Sequence, residues 1–532
     1  MSLLRSTFSF GSMTLVSRVL GLVRDVVIAR WFGATAATDA FVAAFKIPNF
    51  LRRLFAEGSF SLAFVPVLAE YRERGDQAAL KSLIDATAGT LLAVLLVITA
   101  IGVLAAPWVI SLFAPGFRDD PAQFALASDM LRVTFPYLLL IAMTALAGGI
   151  LNTLGRFAMP ALTPALLNIA LIVAAIAFSP YFAEPIKALA WGVLAAGVLQ
   201  LGFLLPSLAR HGVLPIPRPG FSHPGVRRIM RLMVPTLFGS SVAQISLLLD
   251  VLIASLLVTG SITWLYYADR MMEFPLGLFG VALSTVILPT LSSQHSAGDP
   301  ERFRRTLDWA MLLGLVVGLP AAVGLAVLAD PVVIALFQYG AFSPEGARMA
   351  ALALTVYCLG LPAFMGVKIL APGYFSRQDT RTPVKIAIIA LTTNMVLNVI
   401  FVLALISYLA GGDFSAGLLP TLAAHPGAHV ALALASSASA WLNAALLWRG
   451  LRHQGLAPIL PWQRIGQVVT ASLLMAVAVI ALMPTTAEML DSSLAVRLGW
   501  LAGGVIMGAV VYGLVLLGLG VRPGVLARPK EL

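Results

Sequence analysis

Seven cationic side chains, Arg18, Arg24, Lys46, Arg52, Arg53, Arg270 and Lys368, stand inside segments otherwise apolar enough to cross a lipid bilayer. A lone Arg or Lys at the centre of such a helix costs about 2.5 to 3.5 kcal/mol even on the lenient insertion scale, so a cluster of them is stable only around water or an anion. The expectation is a cavity that receives a negatively charged substrate. In the second apolar segment Lys46, Asn49 and Arg53 recur at helical spacing with Arg52 beside them, and Pro48 frees backbone groups that only water or protein can satisfy. The plainer alternative is packing glue, with Arg53 paired to Glu57 at i,i+4 and Lys46 paired to Asp39 two turns away. Arg24 and Asp25 are adjacent, hence expected to point in different directions and each to need another partner. Arg18 is expected either to meet substrate or to snorkel to headgroups. Farther along, Asp269 and Glu273 share a helix face as like charges, which repel unless a cation, or Arg270 with another basic group, lies between them. A gate salt bridge to the second segment and a static ion pair are both open readings of that triplet.

The elements that must position these groups follow from composition. Of 532 residues, 59% are hydrophobic and 11% charged, and the mean hydropathy is +0.93, against about 25% charged residues in soluble domains. The chain reads as an all-α polytopic membrane protein of about fourteen transmembrane helices. The first apolar stretch carries Arg18 and Arg24 and lacks a small-residue cleavage pattern, so it is expected to stay as a helix. With Cys358 the sole cysteine, no internal disulfide or thiol pair forms. The six histidines lack metal spacing and there is no GxxxxGK[ST] loop, so neither a metal, a cofactor nor a built-in ATPase is expected. The net charge of +11 reflects topology rather than nucleic-acid binding. Alternate linkers are basic, such as Arg72, Arg74 and Lys81, or Arg377, Arg381 and Lys385, while those between, such as 411–429, lack Lys and Arg. The basic linkers are expected in the cytoplasm, with both termini.

The chain also repeats itself. LAAPWVISLF around Pro107 returns as LADPVVIALF around Pro331, FVPVL at 64–68 returns as ILPTL at 287–291, and Pro136 is echoed by Pro362. The expected organisation is an N-terminal lobe of six helices (1–207), a basic cytoplasmic linker (208–227), a C-terminal lobe of six (228–450), and two further helices with a tail (451–532). An even number of spans per repeat gives a pseudo-two-fold axis along the membrane normal and a central site between the lobes.

Three strings carry a resemblance: LVSRVLGLVRDVVIARWFG (15–33), TDAFVAAFKIPNFLRRLFAEGSFSLAFVPVL (38–68) and YADRMMEFPLGLFGVALSTVILP (267–289). Over essentially the whole length the chain resembles the MurJ/MviN lipid II flippases of bacteria, within the multidrug/oligosaccharidyl-lipid/polysaccharide exporter superfamily. That resemblance implies a carrier, not an enzyme, which moves lipid II (undecaprenyl-pyrophosphate-linked disaccharide pentapeptide) from the cytoplasmic to the periplasmic leaflet of the inner membrane by alternating access. It implies substrate-binding roles for Arg18, Arg24, Arg52 and Arg270, to which the spacing adds Lys46 and Asn49. It implies a role for Asp39 and a gate involving Ser17, Asp25 and Glu57, and the Asp269 and Glu273 candidates join these as gate or ion-pair residues. Thr263 stands where relatives often have Ser, and the last two helices are expected to form a groove for the lipid tail. Cell-wall synthesis proteins are possible partners. A cation-coupled exporter of drugs or another lipid-linked glycan, and a membrane glycosyltransferase, are the competing functions. The energy source stays open among the membrane potential, sodium and protons.

Overall fold

The computed structural model describes residues 3–54, 60–459 and 461–521; side chains are described for these except 3–15, 62, 234–244 and 281. No strand occurs among them. The first helices are α1 (Leu3–Phe32), α2 (Ala36–Arg52), α3 (Ser61–Glu73), α4 (Gln77–Leu104), α5 (Ala106–Phe113), α6 (Pro121–Thr134) and α7 (Tyr137–Thr153). They continue with α8 (Ala158–Val173), α9 (Lys187–Arg210), α10 (Pro224–Ala254), α11 (Ser261–Pro275), α12 (Val281–Ser296), α13 (Pro300–Val327) and α14 (Ala329–Phe337). The last are α15 (Pro344–Phe375), α16 (Arg381–Leu409), α17 (Leu418–Ala424), α18 (Val430–His453), α19 (Trp462–Leu482), α20 (Thr486–Asp491) and α21 (Leu494–Gly518).

Eleven helical runs among the described residues are long and apolar enough to cross a membrane. Three more, α1, the α2–α3 pair and α10, bring the number to fourteen. The chain is a multi-pass membrane protein. Its helix starts are written in short polar signals. Asp120, Asp299 and Ser343 each accept a backbone N–H of the following turn and each precedes a proline, whose missing N–H costs nothing at a first helical position.

The repeat has a structural counterpart. In both copies a long helix breaks for one residue before a short one, α4 to α5 at Ala105 and α13 to α14 at Leu328, and the repeated prolines Pro107 and Pro331 stand in the first turn of the second piece. Arg53, Leu54 and Phe60 are π-helical, and so is Leu276–Gly280 between α11 and α12. Leu276 follows Arg53 by 223 positions, the separation of Phe64 from Ile287 in the repeated strings. A π turn widens the helix by one residue per bond and recurs at functional sites.

Two compact units form, Met1–Ile262 and Thr263–Leu532. In the first, α1 packs on α8, α2 on α6, and α9 on both α7 and α8. Phe64, Leu83, Leu146, Leu204 and Ile229 share one buried core. In the second, α15 packs on α13 and α18, α16 on α18, and α19 on α13 and α21, around Leu291, Phe303, Tyr374 and Leu451. The unit boundary falls one helix beyond the 208–227 linker because α10 packs on α2, α3, α4 and α5. Its C-terminal end is fixed where the Gly116 N–H donates to Ser255 Oγ at 3.2 Å.

A Cβ at Gly116 would stand 1.9 Å from the Ser255 carbonyl oxygen, a backbone atom with little room to move. Gly116→Ala is therefore expected to destabilise the protein by about 1 to 3 kcal/mol, as overpacking does, and to lower its melting temperature in detergent. Gly202→Ala, with open space around its Cβ, is the control and is expected to leave that temperature unchanged. Equal melting temperatures for the two variants would show that the Gly116–Ser255 contact does not hold α10.

Candidate functional site

The described candidate residues of the first unit lie on α1 and on α2 with its C-cap, and α8 adds one more. Arg24 and Asp25 are both buried, at 6% and 1% exposure, and they pair with each other. Arg24 donates to Asp25 Oδ1 from Nε at 2.9 Å and from Nη2 at 2.6 Å. This corrects the expectation that neighbours in sequence point too far apart to pair. Adjacent side chains leave a helix about 100° apart, but the arginine stem is long enough to fold sideways across that angle.

The remaining edge of the guanidinium meets a residue that sequence reasoning missed. Arg24 Nη1 donates to Asn168 Oδ1 at 3.0 Å, and Asn168 Nδ2 donates to the Ser17 carbonyl at 3.0 Å. One amide on α8 thereby joins the cation of α1 to a carbonyl two turns earlier on the same helix. Asn168 is itself buried. Its signal in the sequence is faint: one neutral amide, four residues after Pro164, in an otherwise apolar helix. Arg18, one residue after Ser17, is exposed.

On α2, Asp39 is buried in the first turn, where the helix dipole favours a carboxylate. Its Oδ2 accepts the Gly260 N–H at 2.6 Å. Gly260 has φ +98°, a conformation open to glycine and strained for other residues, so this bond marks a tight turn just ahead of α11. Lower on α2, Arg52 Nε donates to Asn49 Oδ1 at 2.9 Å, and Lys46, Asn49, Arg52 and Arg53 are all half-buried. These groups lead directly into the π-helical stretch at Arg53. Glu57, named with them from the sequence, lies outside the described residues.

In the second unit Asp269, Arg270 and Glu273 lie on α11 and are half-buried. Arg270 Nη1 approaches Glu273 Oε2 at 3.4 Å, an i,i+3 pair at the long end of hydrogen bonding. Thr263 is fully buried. Lys368 on α15 is exposed, and its stem runs beside Gly280 of the π turn. Among the described residues no group of three His, Cys, Asp or Glu side chains is placed to hold a metal ion.

Arginine forks recognise carboxylates and phosphates by the same paired donors. The Arg24 network is therefore chemically able to trade Asp25 for a phosphate oxygen. Asn168 tests whether the network matters. Asn168→Ala removes the Arg24 Nη1 acceptor and the Ser17 carbonyl's donor, and a hydrogen bond to a charged group contributes about 1.5 to 3 kcal/mol. A lower melting temperature and impaired growth in cells depleted of the native protein are expected. Wild-type behaviour on both counts would remove Asn168 from the site.

The family model described as lipid II flippase MurJ matches residues 28–492. A Vibrio cholerae protein named probable lipid II flippase MurJ is 46% identical over 530 residues, covering 98% of this chain and 97% of its own. One from Burkholderia cenocepacia, named lipid II flippase MurJ, is 42% identical over 482 residues, with 90% and 89% covered. A solved structure of lipid II flippase MurJ in an inward closed conformation aligns with a TM-score of 0.78 at 26% identity, over 95% of this chain and 97% of that one. An inward-facing multidrug resistance MATE family transporter aligns at 0.64 with 14% identity, over 84% and 98%, a likeness of fold alone. Matched along nearly its whole length by relatives this similar, the chain belongs to the lipid II flippase MurJ family.

Proposed function

We propose that this protein carries lipid II from the cytoplasmic to the periplasmic leaflet of the bacterial inner membrane by alternating access, without covalent change to its cargo, and with both termini in the cytoplasm. The observation that carries this reading is the buried Arg24, held by the side chains of Asp25 and Asn168 between apolar helices. Stability alone does not call for it, since replacing a buried ion pair by well-packed apolar residues is often neutral or stabilising. An ionisable group inside a membrane helix is by default functional. A pyrophosphate on a polyprenyl tail offers the oxygens that an arginine fork binds.

In this reading Arg18, Arg24, Arg52 and Arg270, with Lys46 and Asn49, contact the substrate. Ser17, Asp25, Asp39, Glu57, Asp269 and Glu273 exchange partners as the carrier changes state. The repeat divides the chain into six-helix halves, 1–207 and 228–450, joined by 208–227, with 451–532 appended. The shared helix breaks and π turns support that division. A ligand shifts such an equilibrium only through different affinities for its two states, and acids that compete with phosphate for the same arginines supply that difference.

The decisive assay incubates the purified protein in vesicles with labelled lipid II and detects the precursor in each leaflet with a membrane-impermeant reagent. Translocation with the label intact is expected, whereas polymerised or cleaved product would make the protein an enzyme. Arg24→Ala, Arg52→Ala and Arg270→Ala are each expected to abolish growth at normal expression while inserting normally, each losing a charge-assisted fork worth about 1.5 to 3 kcal/mol. Growth supported by any two of the three would overturn the anion site.

Access supplies a separate check. Ala29 and Thr263 are fully buried in this conformation. In a Cys358→Ala background, Ala29→Cys and Thr263→Cys are expected to react with an external impermeant thiol reagent only when substrate or an imposed potential drives opening. Reactivity indifferent to both would contradict alternating access there.

A further inference from the structure

We propose that residues 211–223, together with the first two turns of α10, form a binding surface for anionic phospholipid headgroups of the cytoplasmic leaflet. The inference rests on the proposed orientation of the chain but not on its substrate. The segment between α9 and α10 has no helix of its own, yet its backbone is tied down along α4. The Ile216 N–H donates to Asp85 Oδ1 at 2.8 Å, the Arg218 N–H to the Asp85 carbonyl at 3.1 Å, and the Gly220 N–H to Thr90 Oγ1 at 3.0 Å. Lys81 pairs with the same Asp85 carboxylate.

Close approach is possible because glycines face the contact from both sides. A Cβ on Gly89 would stand 2.2 Å from the Arg218 carbonyl carbon, and one on Gly220 would stand 2.5 Å from Ala86 Cβ. Held along α4 by its backbone, this stretch turns most of its side chains outward, with Val213 buried. Leu214, Ile216 and Phe221 are exposed at 37%, 52% and 57%, and Arg218, Arg227 and Arg231 are exposed among them. No acidic residue occurs from 211 to 231.

Of the arginines in that stretch, Arg228 alone is in an ion pair among the described residues, with Glu70 at 2.5 Å. Burial holds His223 below its ordinary pKa, and the permanent charge of the segment is that of its arginines. Apolar side chains interleaved with arginines fit neither open water nor a protein core. They fit the membrane interface, where the apolar groups enter the acyl boundary and the cations meet lipid phosphates. A basic linker needed only for topology has no use for an apolar row or for a backbone clasp.

The test uses the full chain with Cys358→Ala, and nitroxide labels on Ile216→Cys or Phe221→Cys. Nanodiscs of phosphatidylcholine alone are compared with equimolar phosphatidylcholine and phosphatidylglycerol. Labels are expected to become more accessible to oxygen and less accessible to a water-soluble nickel chelate when phosphatidylglycerol is present. High salt should reverse the change, because exposed charges are screened. In native mass spectrometry, Arg218→Ala, Arg227→Ala and Arg231→Ala are each expected to weaken retention of phosphatidylglycerol about fivefold. All three residues are exposed, and unchanged melting temperatures would confirm that the variants fold. Labels that stay in water in both lipids, a depth independent of phosphatidylglycerol, or retention unaffected by the three substitutions would each overturn the proposal.

Discussion

A guanidinium among apolar helices is tolerated only when its donors are met, and the chain meets that demand in two ways. Arg497 is buried on α21 with its donors on backbone carbonyls of Ser492, Leu490 and Gln338 and on the Gln338 side chain. Its guanidinium also lies 5.0 Å from the centre of the Tyr339 ring. Backbone carbonyls cannot leave without unfolding a turn, so this arginine pins the α20–α21 corner to the loop after α14. Arg24 is equally buried, but its acceptors in Asp25 and Asn168 are side-chain oxygens. A carboxylate and an amide release a cation by rotating about one or two bonds. The two guanidiniums are equally buried, and in the proposed cycle the acceptors separate a static pin from a partner that can be exchanged.

The same economy shapes the helices that carry the other candidates. Pro48 lies inside α2, and Pro275 closes α11 immediately before the π turn of Leu276–Gly280. Backbone groups released by such breaks are costly in hydrocarbon and tolerable beside water or protein. The charged residues Arg52, Arg53, Arg270 and Glu273 stand within a few positions of these irregular turns in each copy of the repeat. In the proposed cycle, a helix that already departs from regular bonding is the one that can bend at small cost, and its cations move with it.

Much of this was legible in the sequence. Apolar runs of membrane length gave the spans, and the repeated strings around Pro107 and Pro331 fall where the structure breaks a helix in each copy, at Ala105 and Leu328. What was not legible depended on geometry that spacing does not encode. The Arg24–Asp25 pair required knowing how far an arginine stem reaches around its own helix. Asn168 is 144 residues from Arg24, and no periodic pattern points to it. The grouping of α10 with the first unit turns on contacts such as Gly116 with Ser255, where the informative feature is the absence of a side chain.

In the proposed cycle Asp25 and the substrate phosphate compete for Arg24, and lipid II retention by Asp25→Asn in native mass spectrometry tests that competition most directly. A neutral amide keeps an acceptor near Arg24 but gives up the charge that rivals phosphate. In protein whose melting temperature shows it folded, lipid II should be held about tenfold more tightly, as expected for the loss of a competing charge-assisted bond, and translocation should slow. Retention that is unchanged or weaker would contradict partner exchange at Arg24.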